Sequence, residues 1–256
     1  MFTGPKVVTL LNFDDTLTKQ EELRRFPHDL VDLRDLKGTR MYCAPEVLGE
    51  IATRLGKTKR GITLIGSGDF HYVSYLLLAA MTRPFTLILF DNHADLKQDH
   101  PHAPLSCASW MARALELPYL QKAIIIGTRG DEMRWVPPRR REKVLFLFFT
   151  GKAWLRQVLN NSTGTVYISI DKDVLCREDA VTNWEQGSMT LAELLLALRE
   201  ITQQKEVAAA DVCGEAPLHP LDQLRPAGRE AIRKNMRANV MILRTLLLAG
   251  SYKKAS

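Results

Sequence analysis

Two short acidic runs carry the residues in this chain that could do chemistry. Asp91-Asn92-His93-Ala94-Asp95 and Asp171-Lys172-Asp173 place four carboxylates and an imidazole at alternating positions. Side chains alternate along an extended backbone. Asp91, His93 and Asp95 are therefore expected to share one side, as are Asp171 and Asp173, with Lys172 directed elsewhere. So many acids gathered in one place repel one another unless they hold cations. The residue types point to a metal site, and their number to two ions. A carboxylate-rich set with imidazoles leans toward Mn²⁺, or another hard divalent ion. In two-metal sites the ions lie about 3.5–4 Å apart, so one carboxylate from each run could bridge them. A water between such ions ionises near neutral pH and becomes a nucleophile for hydrolysis.

Such runs need elements that bring them together. Each follows an apolar stretch, Phe85–Phe90 and Val166–Ile170. Continuous apolar runs of this length suit strands covered on both faces, as in a parallel sheet. Ligand sites in open α/β sheets lie at the carboxyl ends of the strands. A third segment, Gly66-Ser67-Gly68-Asp69-Phe70-His71, follows a short strand at Ile62–Ile65. Its small residues permit a tight turn. His71 could then add a ligand, with Asp69 orienting it.

The other elements alternate. Strands are expected at Val7–Leu11, Lys122–Ile126, Val144–Phe149 and Val207–Val212, and helices at Pro45–Leu55, His71–Met81, Cys107–Leu117, Lys152–Leu159, 191–203 and Arg229–Leu248. Thr190 and Glu193 form a capping box for the helix at 191–203. The pattern specifies an α/β sandwich with a mostly parallel sheet, in a single domain spanning 1–256. Segment 13–42 reads as a long loop over the sheet edge or a small insertion.

Three motifs in this order resemble the arginase–agmatinase (ureohydrolase) family. Gly68-Asp69-Phe70-His71 resembles Gly-Gly-Asp-His with one extra residue, Asp91-Asn92-His93-Ala94-Asp95 resembles Asp-x-His-x-Asp, and Ser169-Ile170-Asp171-Lys172-Asp173 resembles Ser-x-Asp-x-Asp. The resemblance implies a three-layer α/β/α fold with a central parallel sheet of eight strands. It also implies a dimanganese centre with ligands His71, Asp91, His93, Asp95, Asp171 and Asp173. Asp91 and Asp171 would be the bridges, with His71 and Asp95 completing one ion's shell and His93 and Asp173 the other's. The implied activity is hydrolysis of a C–N bond in a small guanidino or amide substrate.

The chain departs from the family pattern at three points. Cys176-Arg177 stands where the family has Asp-Pro, two residues beyond the second acidic pair. The stretch Ser106-Cys107-Ala108-Ser109-Trp110 lacks the family's catalytic His, and His100 and His102 lie nearby in a different register. An ungapped match of Asp211–Pro217 puts Gly214 at the family's guanidinium-binding Glu, with Glu215 one residue on. The expected catalytic residues are Asp95, His102 for proton transfer and Glu215 for substrate contact. Trp110 lines the pocket or packs on the sheet. Cys107 and Cys213 follow strand-end loops, where buried inert thiols are the common outcome.

Composition sets the outer bounds. The chain has 256 residues, 46% apolar, with a net charge of +6, enough for a full core without staples. The four cysteines are scattered, which fits reduced thiols in a cytoplasmic protein. The sequence shows no signal peptide and no apolar run of membrane-spanning length. Arg139-Arg140-Arg141 lacks aromatic interleaving, so a solvated loop is expected rather than a nucleic-acid surface. The expected partner is a small-molecule substrate, with neither nucleic acid nor membrane, and a homo-oligomer is compatible with the size. Two other readings stand beside this one. A catalytically retired arginase-like protein would keep the fold for binding or assembly. A haloacid dehalogenase-like phosphatase is suggested by Asn12-Phe13-Asp14-Asp15-Thr16, but Asn12 replaces the nucleophilic Asp, leaving a strand-end turn with Asp14 or Asp15 capping backbone N–H groups.

Overall fold

A computed structural model describes residues 8–58, 61–97, 103–128, 130, 132–151 and 153–248. Eight strands form one sheet in the order β2-β1-β4-β10-β9-β5-β7-β8. These are β1 (Val8–Asn12), β2 (His28–Asp32), β4 (Ile62–Leu64), β5 (Phe85–Phe90), β7 (Leu120–Ile126), β8 (Val144–Leu147), β9 (Thr165–Asp171) and β10 (Glu206–Cys213). Every pairing in the sheet is parallel, so all the carboxyl ends meet at one edge. Two short strands, β3 (Tyr42–Cys43) and β6 (Leu105–Ser106), pair antiparallel beside it.

The apolar runs are continuous because both faces of the sheet are covered. Leu87 and Leu89 of β5 join one core, with Ile51 of helix α1 (Pro45–Leu55), Val73 of α2 (Val73–Ala79) and Trp110 of α3 (Trp110–Ala114). Ile88 and Phe90 join the other, with Val158 of α4 (Ala153–Asn161), Leu198 of α5 (Leu191–Gln204) and Leu243 of α7 (Pro226–Leu248). The result is a three-layer α/β/α sandwich, completed by a short α6 (Pro220–Gln223). Truncating one such core side chain to Ala costs about 2–5 kcal/mol. The capping box of α5 is formed on both sides, with the Thr190 hydroxyl accepting from the Glu193 N–H and the Glu193 carboxylate accepting from the Thr190 N–H.

Segment 13–42 is more than a loop. It contains β2, the edge strand beside β1, in which only Val31 is buried. The helix expected from His71 is also divided: a 3₁₀ turn at Gly68–Phe70 comes first, and α2 begins only at Val73. The expected strand-end turn after β1 is present, with Asp14 Oδ1 accepting from the Thr16 N–H at 3.3 Å. Arg139 and Arg140 both bind the Glu116 carboxylate, at 3.0 and 2.5 Å. Among the described residues no helix is long and apolar enough to cross a membrane.

Candidate metal centre

Four adjacent central strands, β4, β10, β9 and β5, deliver the polar cluster to the carboxyl edge. The two acidic runs start with the same local device. Asp91 follows β5, and its Oδ1 accepts the His93 N–H at 2.7 Å. Asp171 ends β9, and its Oδ1 accepts the Asp173 N–H at 2.9 Å. An Asp bonded two residues on in this way closes a tight turn. The turns, and not extended alternation, aim the side chains: β5 has already ended at Phe90, and Asp95 has a left-handed φ of +51°. Short polar side chains tolerate that conformation best after glycine.

His71 Nδ1 lies 3.1 Å from Asp95 Oδ2, 3.4 Å from Asp91 Oδ2 and 3.5 Å from Asp171 Oδ2. His93 Nδ1 lies 2.7 Å from Asp173 Oδ2 and 3.8 Å from Asp91 Oδ1. Three groups therefore have ligand atoms within 4.8 Å of one another: His71 with Asp91 and Asp95, Asp91 with His93 and Asp173, and His71 with Asp171 and Cys213. Asp91 belongs to two groups and His71 to two. Asp91 Oδ2 is buried without a hydrogen-bond donor among the described residues.

The electrostatics describe a site short of positive charge. Burial, then the charges of Asp173, Asp95 and Asp171, push the Asp91 carboxyl well above the usual carboxylate range. Burial and Asp173 raise Asp171 to about 6. Burial works against a charged His71, yet its bond to Asp95 and the nearby carboxylates raise it to about 9. The bond to Asp173 raises His93 to about 9 as well. Burial and the Asp171 charge keep Cys213 a thiol. Protons are thus retained where cations would relieve the crowding. Four carboxylates, two imidazoles and an orphaned buried oxygen fit a pair of divalent cations.

Supporting residues orient the cluster. His71 Nε2 meets Ser169 Oγ at 3.2 Å, and Ser169 donates to Asp211 Oδ1 at 2.7 Å. Tyr167 donates to the other Asp211 oxygen at 2.7 Å. Trp110 is fully buried, outside the cleft, and its indole N–H donates to Asp95 Oδ2 at 2.6 Å. Its ring also lies 4.7 Å from that of His71. Asp69 does not orient His71. Its carboxylate accepts from Arg40 at 2.5 Å, Asn183 at 2.9 Å and Trp184 at 3.1 Å, fastening the Trp184 loop instead. The Tyr167–Ser169–Asp211 chain had a legible signal: polar residues facing one another across paired apolar strands, with Ser169 opposite Asp211.

A family model described as the Arginase family matches residues 10–225. The chain belongs to the arginase family. An uncharacterized protein of Thermotoga maritima is 32% identical over 211 residues, covering 82% of this chain and 80% of that one. An agmatinase of Bacillus subtilis is 29% identical over 171 residues, covering 63% of this chain and 58% of that protein, so less than two thirds of this relative is spanned. Among solved structures, the agmatine ureohydrolase of Thermoplasma volcanium superposes with a TM-score of 0.66 at 15% identity, covering 98% of this chain and 92% of that one. The formimidoylglutamase of Bacillus subtilis gives 0.66 at 16%, covering 95% and 88%. At these identities the structural likeness is one of fold, and it is the arginase α/β fold.

The cleft over the cluster has a volume of about 280 Å³ and is walled by His93, Trp135 and Trp184, with Lys97 and Glu132 beside them. Cys107 also reaches it. Glu215 does not. Its carboxylate is buried against the Lys172 ammonium and accepts from Gln20 at 2.8 Å and Asn239 at 2.7 Å. Both oxygens are engaged, so the expected substrate contact by Glu215 is corrected to a structural ion pair. At Gly214, where the arginase-family Glu is expected, φ is +90° and an added Cβ would lie 2.5 Å from Asp171 Oδ1. His100 and His102 lie outside the described residues.

Proposed function

We propose that this chain is a dinuclear-metal hydrolase that cleaves a C–N bond in a small guanidino or amide substrate, and that it works in the cytoplasm without nucleic-acid or membrane partners. The observation that carries this is the pair of ligand groups joined through Asp91: His71, Asp91 and Asp95 on one side, Asp91, His93 and Asp173 on the other. Two divalent cations bound there, most simply manganese, would supply an ionised water near neutral pH and would stabilise charge developing on the substrate. Asp91, which belongs to both groups, would bridge the two ions, with Asp171 the second bridge that the family resemblance implies, and Asp95 is held in position by Trp110.

The chain's other residues suit a compact substrate. A cleft of about 280 Å³ with two tryptophan walls accommodates a small, planar group. His93 has 37% of its side chain exposed, the more open of the two ligand imidazoles, so its half of the cluster faces the cleft. Lys97 and Glu132 offer one charge of each sign to the far end of the substrate. The agmatinase relative supports a guanidino group. The engagement of Glu215 with Lys172 means that a guanidinium would have to be held by other groups.

That same engagement favours one alternative, a catalytically retired family member that keeps the fold to bind a ligand. A screen of guanidino compounds, formimino compounds and small amides, read by urea or ammonia release after manganese loading, separates the two. Turnover of one class that disappears in Asp173→Ala supports the hydrolase. Release at the same rate in Asp173→Ala, or no release from any class by a fully metal-loaded protein, contradicts it.

A further inference from the structure

Cys213 is the last residue of β10 and stands in register opposite Asp171, the last residue of β9. Register partners on adjacent strands project to the same face, so the thiol is carried to the acidic cluster. Its sulfur lies 3.0 Å from Asp171 Oδ2, and the same oxygen lies 3.5 Å from His71 Nδ1. The three side chains are buried, and their ligand atoms lie within 4.8 Å of one another, as do those of the two other groups. A second observation points to a ligand here: Asp91 Oδ2, also facing His71 at 3.4 Å, is buried and receives no hydrogen bond among the described residues. Gly214 makes the approach feasible. Its φ of +90° and the absence of a Cβ let β10 close against Asp171 and the Lys172 N–H.

We infer that Cys213 is a metal ligand, joining His71 and Asp171 on one of the two ions. The inference rests on the dinuclear reading above and adds to it the chemistry of one half. A coordinating thiol binds as the thiolate, so its proton, now shared with Asp171, passes to solvent when the ion enters. The half built on His71, Asp171 and Cys213 is then a mixed sulfur, nitrogen and oxygen site. Such a set prefers zinc, cobalt or ferrous iron over manganese, whereas Asp91, His93 and Asp173 keep a harder set for the other ion. The two positions would differ in the metal they select.

Cobalt is the probe, because a sulfur ligand gives Co²⁺ a charge-transfer band in the near ultraviolet that oxygen and nitrogen ligands do not. Wild type, Cys213→Ser and Cys107→Ser are loaded with Co²⁺, desalted and assayed for cobalt by mass spectrometry alongside the spectrum. The expected result is the band in wild type and Cys107→Ser and its loss in Cys213→Ser, with the zinc-over-manganese preference of that variant reduced about 10-fold or more. X-ray absorption of the zinc-loaded wild type needs no variant and should show a sulfur scatterer at about 2.3 Å. Two bound cobalt ions with no band, or a band unchanged in Cys213→Ser, would overturn the cysteine ligand and leave the dinuclear centre standing. No bound cobalt would overturn both.

Discussion

The Lys172 ammonium and the Glu215 carboxylate form an ion pair whose side chains are 0% and 4% exposed, although Lys172 is flanked in sequence by the two aspartates of the metal cluster. The 3₁₀ turn Lys172–Val174 that follows β9 sends Asp171 and Asp173 to the cluster and Lys172 to Glu215. Gln20 and Asn239 complete the pair's hydrogen bonds, and Asn239 also donates to Gln20 at 2.8 Å, tying the β1–β2 connection to α7. Removing one member of a buried pair costs about 3–5 kcal/mol, while replacing both with apolar residues is often neutral or stabilising. Lys172→Met should therefore lose about 3–5 kcal/mol in urea unfolding, and Lys172→Met with Glu215→Leu should recover most of it. Metal content should be the same in all three proteins. A loss of metal in the double variant would show that Glu215 serves the cluster after all.

Trp110 holds Asp95 through its indole N–H and lies against the His71 ring, so it fixes two ligands at once. Trp110→Phe keeps most of the buried ring and removes the donor. Loss of such an outer partner typically costs 10–100-fold in metal affinity, and about that loss is expected here. Competition with a chelator measures it. Unchanged affinity would mean that Asp95 is not a ligand.

The protonation pattern gives the metal-free protein a definite response to pH. His71 and His93 are raised from 6.5 to about 9 in the fold, so their contribution is complete below 6.5 and is lost as pH rises through 9. Asp171, raised from 3.8 to about 6, contributes fully below 3.8 and loses that contribution as pH rises through 6. All three shifts have the same sign. The Tm of the metal-free protein should fall as pH is raised from about 6 to about 9, and metal should flatten the fall by replacing protons with cations. A Tm that rises over this range without metal would contradict the electrostatic account.

Much of this architecture could be read from the apolar runs. Phe85–Phe90 is uninterrupted because both helical layers cover it, and α1 runs from Pro45 to Leu55 as its periodicity requires. The edge strand β2 was hidden because one side of it faces solvent, leaving Val31 as its lone buried residue. The residues of the cluster were legible as types and spacings, but not the turn chemistry that aims them, since Asp95 needs a left-handed backbone that an alternation rule cannot supply. Glu215 was misplaced for a related reason. One residue of shift along a strand end exchanges the two faces, and it carries the carboxylate from the cleft to Lys172. The orienting roles of Ser169 and Asp211 are harder to read, because each sits inside an apolar strand and acts through its partner across the sheet.

The most direct test is metal stoichiometry, by mass spectrometry after manganese loading and desalting, on wild type and Asp173→Ala. Asp173 belongs with Asp91 and His93 and not with the His71 groups. Close to two ions per chain are expected in wild type and close to one in the variant. No retained metal in wild type, or an equal content in the two proteins, would contradict the dinuclear centre.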